Sequence, residues 1–161
     1  MSEKTLRELT EELTIRDAQL RDSEELFRNT FCLNPMPMCI TKADGTFIKV
    51  NKGFLEISGY KLEELIGKNI IELEFYDDIQ VRNKVLESLK NNVCSRNNVV
   101  VFNVPNGKIT ALLSSKNVRY KNELVILSIV ILIDEMIVNL NTGEQYFKRG
   151  LKQNRRVTDC D

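Results

Sequence analysis

The hydrophobic pattern of this chain changes character in a fixed order. From residue 4 to 31, apolar positions recur at helical spacing. Leu6, Leu9, Leu13, Leu20 and Phe27 fall on a and d positions of a heptad, with Arg16 and Ser23 at two weak d positions. Ile15 and Leu26 lie off that seam, and charges such as Glu8, Glu11, Glu12, Asp17, Arg21 and Asp22 fill much of the rest. This predicts an amphipathic helix, either half of a coiled coil or a cap on its own domain. Asn34-Pro35-Met36-Pro37 must end it, because proline disfavours α geometry in the residue before it.

Short-period segments follow. Met38 to Lys42 alternates, Ala43-Asp44-Gly45 turns, and Thr46 to Val50 runs back, with glycine supplying the positive φ of a tight hairpin loop. Asn51 is placed to cap a helix whose apolar positions are Phe54, Leu55 and Ile57. Ser58-Gly59 ends that helix, and Leu62 to Ile66 makes another short one closed by Gly67. Lys68 to Phe75 reads as a linker. Asp77-Asp78 suits the positive start of a helix running to about Asn91, with Ile79, Val81, Val85, Leu86 and Leu89 apolar. Cys94 to Asn97 reads as a polar connection. Val99 to Val104, Lys108 to Tyr120 and Leu124 to Ile133 are strand-like, separated by Pro105-Asn106-Gly107 and Lys121-Asn122.

The last of these strands is apolar on both sides. Ile126, Ser128, Val130 and Leu132 form one face; Val125, Leu127, Ile129, Ile131 and Ile133 form the other. A sheet wet on one side alternates apolar with polar instead. One face is expected to meet the helices and enclose any pocket. The other needs the N-terminal helix, a partner subunit or the C-terminal segment as a cover. The fold class is therefore α+β: a five-stranded antiparallel sheet with helices on one face, preceded by an amphipathic N-terminal helix. Beyond it, Ile137, Val138, Leu140, Asn141-Thr142-Gly143 and Tyr146-Phe147 read as a hairpin or a frayed helix. Lys148, Arg149, Lys152, Arg155 and Arg156 make a basic, partly disordered tail.

Composition narrows the chemistry. The 161 residues suit one small domain with a core of its own. Lys+Arg and Asp+Glu are both 23, which gives no global pull toward nucleic acid or an anionic membrane. The basic tail lacks the aromatic platform of a single-strand binder, so no nucleic-acid partner is expected. No charge-free apolar stretch reaches the ~18 residues of a membrane span. The charged N-terminus is not a signal peptide, and the expected location is cytoplasmic. Cys32, Cys39, Cys94 and Cys160 show no CxxC spacing, and there is no histidine, so no metal site is expected and the thiols read as reduced. The missing histidine also removes His-based catalysis, haem ligation by a proximal His and autophosphorylation on His. No GxxxxGK[ST] or GxGxxG loop is present. The 27 residues after Asp134 are too few for a folded catalytic domain. Glu72, Glu74, Asp77 and Asp78 read as linker and helix-start charges. The chain is expected not to be an enzyme.

Hairpin, capped helix, glycine stop, short helix, glycine stop is a specific order. It resembles the first half of a PAS domain, the sensor and dimerisation module of bacterial and archaeal signalling proteins. Asp44-Gly45, Val50-Asn51, Phe54, Ser58-Gly59-Tyr60, Glu63-Glu64-Leu65 and Ile66-Gly67-Lys68 carry the resemblance, and Ser23 to Phe31 is similar to the helix that enters many such domains. It implies a division into an N-terminal helix at 1–22, a PAS domain at 23–134 and an extension at 135–161. The implied role is a non-catalytic sensor or interaction module of a prokaryotic two-component pathway, joined to an output domain or partner protein. The alternative is a ligand-free dimerisation scaffold. Many PAS domains carry Asp-x-Thr at the end of the last strand; here Asp134 is present and Met136 takes the Thr position.

Blue-light members carry Gly-x-Asn-Cys-Arg-Phe-Leu-Gln, whose Cys adds to flavin. Here the stretch is Gly67-Lys68-Asn69-Ile70-Ile71-Glu72-Leu73-Glu74, with Ile70 at the reactive position. The expectation is no haem and no photoactive flavin. Candidate pocket residues are Met38, Ile40, Phe54, Ile57, Leu65, Val100, Phe102, Leu112, Ser114 and Ser128, the two serines being the neutral donors. That set describes either a site for a small, mostly apolar molecule or a filled core. A homodimer is expected, with Leu6, Leu9, Leu13, Leu20 and Phe27 as its seam. Leu127, Ile129 and Ile131 are expected against the base of that helix or its mate.

Overall fold

A computed structural model describes residues 2–91, 94–138 and 145–149, and the side chains of 2–91 and 94–133. The elements are α1 (Glu3–Cys32), β1 (Met38–Thr41), β2 (Phe47–Val50), α2 (Lys52–Ser58), α3 (Leu62–Leu65), α4 (Ile79–Asn91), β3 (Cys94–Val104), β4 (Gly107–Tyr120), β5 (Glu123–Val138) and β6 (Gln145–Arg149). The strands pair antiparallel in the order β2-β1-β5-β4-β3, and β6 pairs with the far end of β5. Of the two sequence alternatives, the antiparallel pairing of Glu135–Val138 with Gln145–Lys148 fits the hairpin. Leu140, Asn141-Thr142-Gly143, Lys152, Arg155, Arg156 and Cys160 lie outside the described residues.

Local signals place the turns and caps where the pattern puts them. Gly45 has φ +96°, and Arg82 Nη2 donates to Ala43 O at 3.0 Å across that turn. A Cβ on Gly45 would stand 2.8 Å from Ile70 Cγ1, so the turn closes directly onto the core. Gly59 ends α2 in the left-handed region, and its N–H bonds Leu55 O. One stretch differs. Cys94–Asn97 is strand rather than connection, and a bulge between Ser95 and Asn98 absorbs its polar residues. Asn97 takes the left-handed conformation at φ 54°, which Asn tolerates. Asn98 Nδ2 then donates to Ser95 Oγ and to Leu113 O.

Each face of the sheet carries its own cluster. On the inner face, Phe47, Phe54, Phe75, Phe102, Leu65 and Val130 pack with α2, α3 and α4. On the outer face, Met38, Ile40 and Val125 pack with Phe31 from the end of α1, and Phe27, Leu127 and Ile129 join them. The two faces of β5 separate as its alternation predicts. The rest of α1 leaves the body: residues 2–26 are all exposed, a projection of about 36 Å at 1.5 Å per residue.

Candidate functional site

The inner face holds a partly open cavity of about 30 Å³, room for roughly two water molecules. Its wall is largely aromatic, with Phe47 and Phe102 from the sheet, Phe54 from α2 and Phe75 and Tyr76 from the connection before α4, and β1 and β5 add Cys39, Thr41 and Ser128. Ile70, Leu113 and Val130 complete it. Phe75 is the centre of the aromatic part. Its ring lies 4.7 Å from Phe102, 5.7 Å from Phe47, 6.0 Å from Phe54, 6.1 Å from Tyr60 and 6.3 Å from Tyr76, centroid to centroid.

Hydrogen bonds from both sides hold Phe75 there. Phe75 N donates to Ile70 O, Asn103 N to Phe75 O at 2.8 Å, and Asp77 N to Val101 O at 2.9 Å. Asn103 Nδ2 donates to the carbonyl of Glu74, whose φ is 49°. The segment read as a linker is thus stitched to β3 and carries two wall residues. Asp77 pairs with Lys108 at 2.6 Å, and Asp78 Oδ1 accepts from Gln80 N. Among the described residues no cluster of three His, Cys, Asp or Glu is placed to hold a metal ion.

A row of small polar side chains crosses the sheet behind the cavity. Cys39 on β1 stands opposite Ser128 on β5, Ser128 opposite Ser115 on β4, and Ser115 opposite Ser95 on β3. Ser115 and Ser128 hydroxyls are 2.8 Å apart, and Ser128 also bonds the Cys39 thiol. Burial pushes the Cys39 thiol up to about 12, and the Ser128 bond opposes this only in part. Burial likewise raises the Tyr76 phenol, nearby Cys39 adds to the rise, and Arg82 opposes it. Both groups are neutral at physiological pH, and no ionised group lines the cavity.

This has a measurable consequence. A thiol in the unfolded chain ionises from about pH 9, while folded Cys39 holds its proton to about 12. The unfolded state therefore binds fewer protons in that window, and stability falls as pH rises through it. Below pH 9 the contribution is fully present. Tyr76 acts in the same direction. Urea unfolding at pH 7 and about 10.5 should show a clear alkaline loss that shrinks in Cys39→Ala. An equal loss in both proteins would contradict it.

The ten pocket candidates divide. Phe54, Phe102 and Ser128 line the cavity. Leu65 and Val100 are buried in the same cluster outside the wall, and Ile57 is half-buried against it. Met38, Ile40, Leu112 and Ser114 are corrected: they belong to the outer face. Residues directly opposite in an antiparallel pair share a face. Met38 pairs with Ile129, Ile40 with Leu127, Leu112 with Ile131, and Ser114 with Ile129, all on the outer side of β5. Cys39, Thr41, Leu113 and Ser115 point inward in their place. Phe47, Ile70, Phe75 and Tyr76 were also missed. Two adjacent aromatics closing a polar linker were the available signal for the last pair.

The outer face holds a groove of about 310 Å³ between the last turns of α1 and the sheet, lined mainly by Phe27, Phe31, Met38, Ile40, Tyr120 and Leu127. Phe27 stacks on Phe31 at 5.5 Å and on Tyr120 at 6.0 Å, and Lys49 Nζ stands 5.2 Å over its ring. Phe27 is therefore engaged by its own domain rather than standing free in a seam. Leu127, Ile129 and Ile131 are half-buried. Leu6, Leu9, Leu13 and Leu20 remain 45–59% exposed. No described helix is long and apolar enough to cross a membrane.

Comparison with known proteins agrees with this architecture. A family model for the PAS fold matches residues 25–135. The PAS domain of an HTR-like protein from Haloarcula marismortui superposes with TM-score 0.60 at 22% identity, covering 74% of this chain and 99% of that one. A PAS domain from Colwellia psychrerythraea gives 0.59 at 17%, covering 68% and 95%. A PAS domain from a two-component sensor histidine kinase gives 0.54 at 14%, covering 73% and 98%. Among curated proteins nothing matches. With more than half of its length matched by the family model and its fold shared with solved PAS domains, the chain belongs to the PAS family.

Proposed function

We propose that this chain is a non-catalytic sensor or interaction module of a prokaryotic two-component pathway, cytoplasmic, homodimeric and coupled to an output domain or partner protein. The observation that carries the reading is the shared use of β1 and β5. Their inward side chains, Cys39 and Ser128, line the cavity; the alternate ones, Met38, Ile40 and Leu127, hold the end of α1. A change of packing on one face is felt on the other, because the same two backbones carry both. Occupancy of the cavity, or docking of a partner, would bias two packings of the sheet against α1. Neighbours named as an HTR-like protein and a sensor histidine kinase are in keeping with a signalling role.

The cavity suits a small uncharged molecule that takes hydrogen bonds from Ser128 or Thr41 and rests on phenylalanine rings. The proposed ligand is neither haem nor photoactive flavin. No histidine is available as an axial ligand, and Ile70 stands in the wall where thiol addition to flavin needs cysteine. Native mass spectrometry of freshly purified protein is expected to show a co-purifying neutral small molecule, or a thermal shift with one from a metabolite panel, and no visible absorbance band. A visible band of haem or flavin would overturn the cofactor reading. A bare chain without any thermal shift would favour the second reading, a ligand-free dimerisation scaffold, which the small size of the cavity supports.

A further inference from the structure

A buried amide ties α1 to the elements that wall the cavity. Asn51 is 2% exposed and directly follows β2. Its Oδ1 accepts from Phe54 N at 3.0 Å, capping α2, and from Met38 N at 2.9 Å, at the start of β1. Its Nδ2 faces three carbonyls: Met36 O at 2.7 Å, Phe31 O at 3.0 Å and Asn34 O at 3.2 Å. The NH₂ has two hydrogens, so three acceptors share them. Phe31 O belongs to the last turn of α1. Continuing the helix would give it the N–H of residue 35, and residue 35 is proline, which has none. Asn51 supplies the missing donor.

The neighbourhood is tight. Asn51 N donates to Met38 O at 3.0 Å. A Cβ on Gly53 would stand 2.8 Å from Pro35 O, so glycine lets the 33–37 linker lie against the first turn of α2. Both acceptor bonds end beside the cavity wall, since the Phe54 ring lines it and Met38 precedes Cys39. The donor bonds end on α1 and its linker.

We propose that Asn51 is the joint that sets the direction of α1 relative to the core and carries displacements of the cavity wall to it. The positioning half stands on the bonds alone; its use as a relay rests on the sensor reading above. The competing cause of α1 direction is the apolar clasp of Phe27 and Phe31 on the sheet. Two substitutions separate them. Asn51→Asp keeps both acceptor bonds in an isosteric side chain and turns an oxygen toward the three carbonyls. Asn51→Ser keeps the cap on α2 and lacks the donor amide.

The readout is residual dipolar coupling on the ¹⁵N-labelled full chain. In the native protein, the amides of residues 24–31 and those of the sheet fit one alignment tensor. In both variants the sheet amides are expected to keep a common fit that residues 24–31 no longer share, and exchange of the last-turn amides of α1 speeds at least ~10-fold. If residues 24–31 still share the core tensor, the clasp alone sets the direction and the proposal fails. If the sheet amides lose their own common fit, Asn51 is a general structural prop and the proposal also fails. The relay is read in Val130→Ile, which adds one methylene to the cavity wall. A changed α1 orientation with an unchanged core fit is expected. No change would overturn the relay. Failure of the sensor reading shows separately, as a bare chain in native mass spectrometry, and leaves the coupling result intact.

Discussion

Phe75→Ala is expected to lower the unfolding free energy by about 3–5 kcal/mol, a large share of the 5–15 kcal/mol typical of a whole domain. The ring is 3% exposed and meets five other aromatic rings at 4.7–6.3 Å. Truncation removes its apolar burial and opens a void beside an existing cavity, and the surrounding rings belong to α2, β2, β3 and the 59–78 connection, which cannot all close on it. Phe75→Leu fills much of that space and should cost less, about 1–2 kcal/mol. Urea unfolding of the three proteins measures this. A loss below about 1 kcal/mol for the alanine variant would remove Phe75 from the centre of the core. The result matters for function because the same ring forms part of the cavity wall. A domain that survives Phe75→Leu should bind any cavity ligand with altered size selectivity.

Deleting residues 1–22 is expected to raise the dimer dissociation constant at least 100-fold. Leu6, Leu9, Leu13 and Leu20 are 45–59% exposed in the single chain. Covering them against a second copy contributes on the order of 1 kcal/mol per side chain after allowing for partial exposure, set against the ordering cost of association. Each 1.4 kcal/mol is tenfold in affinity, so a 100-fold change is about 2.8 kcal/mol; two leucines at about 1 kcal/mol each fall short of it and four exceed it. Parallel pairing would bring both N-termini to the same side, as a signal travelling along α1 requires. Arg16 and Ser23 make the seam imperfect, so the proposed dimer is expected to draw on the outer face of β5 as well. Sedimentation of the intact and truncated chains provides the measurement. A full chain that stays monomeric at high micromolar concentration would refute the dimer. A truncated chain that associates as tightly as the intact one would refute the helix as its seam.

Local backbone requirements were legible in the sequence. Gly45 and Gly59 mark left-handed positions, Asn51 caps α2 as its place before Phe54 suggests, and the proline linker stops α1. These features depend on one or two residues and their immediate neighbours, so their signals are short and specific. The two apolar faces of β5 were legible for a related reason: alternation over ten residues is a property of the strand itself.

The facing of β1 and β4 was not legible. In Met38–Thr41 all four residues are buried, so hydrophobicity does not say which pair points at the helices. In β4, Leu112 and Leu113 are equally good core residues in the sequence. Pairing with β5 decides, through Met38 opposite Ile129 and Leu113 opposite Val130, and a one-residue slip would reverse both strands. That register comes from contacts some 90 residues apart for β1 and from bulges at Ile40/Thr41 and Ser95/Asn98, none of which a local window contains. The same long-range pairing lines up Cys39, Ser128, Ser115 and Ser95 into one polar row. It also docks the connection before α4 onto β3, making Phe75 and Tyr76 wall rather than linker. The sequence by itself determined the family, the order of elements and the existence of a two-faced sheet, because these follow from local periodicity and turn chemistry. Which side chains line the cavity, and that Asn51 joins them to α1, only the tertiary structure decided, because those contacts exist only once distant strands have chosen their register.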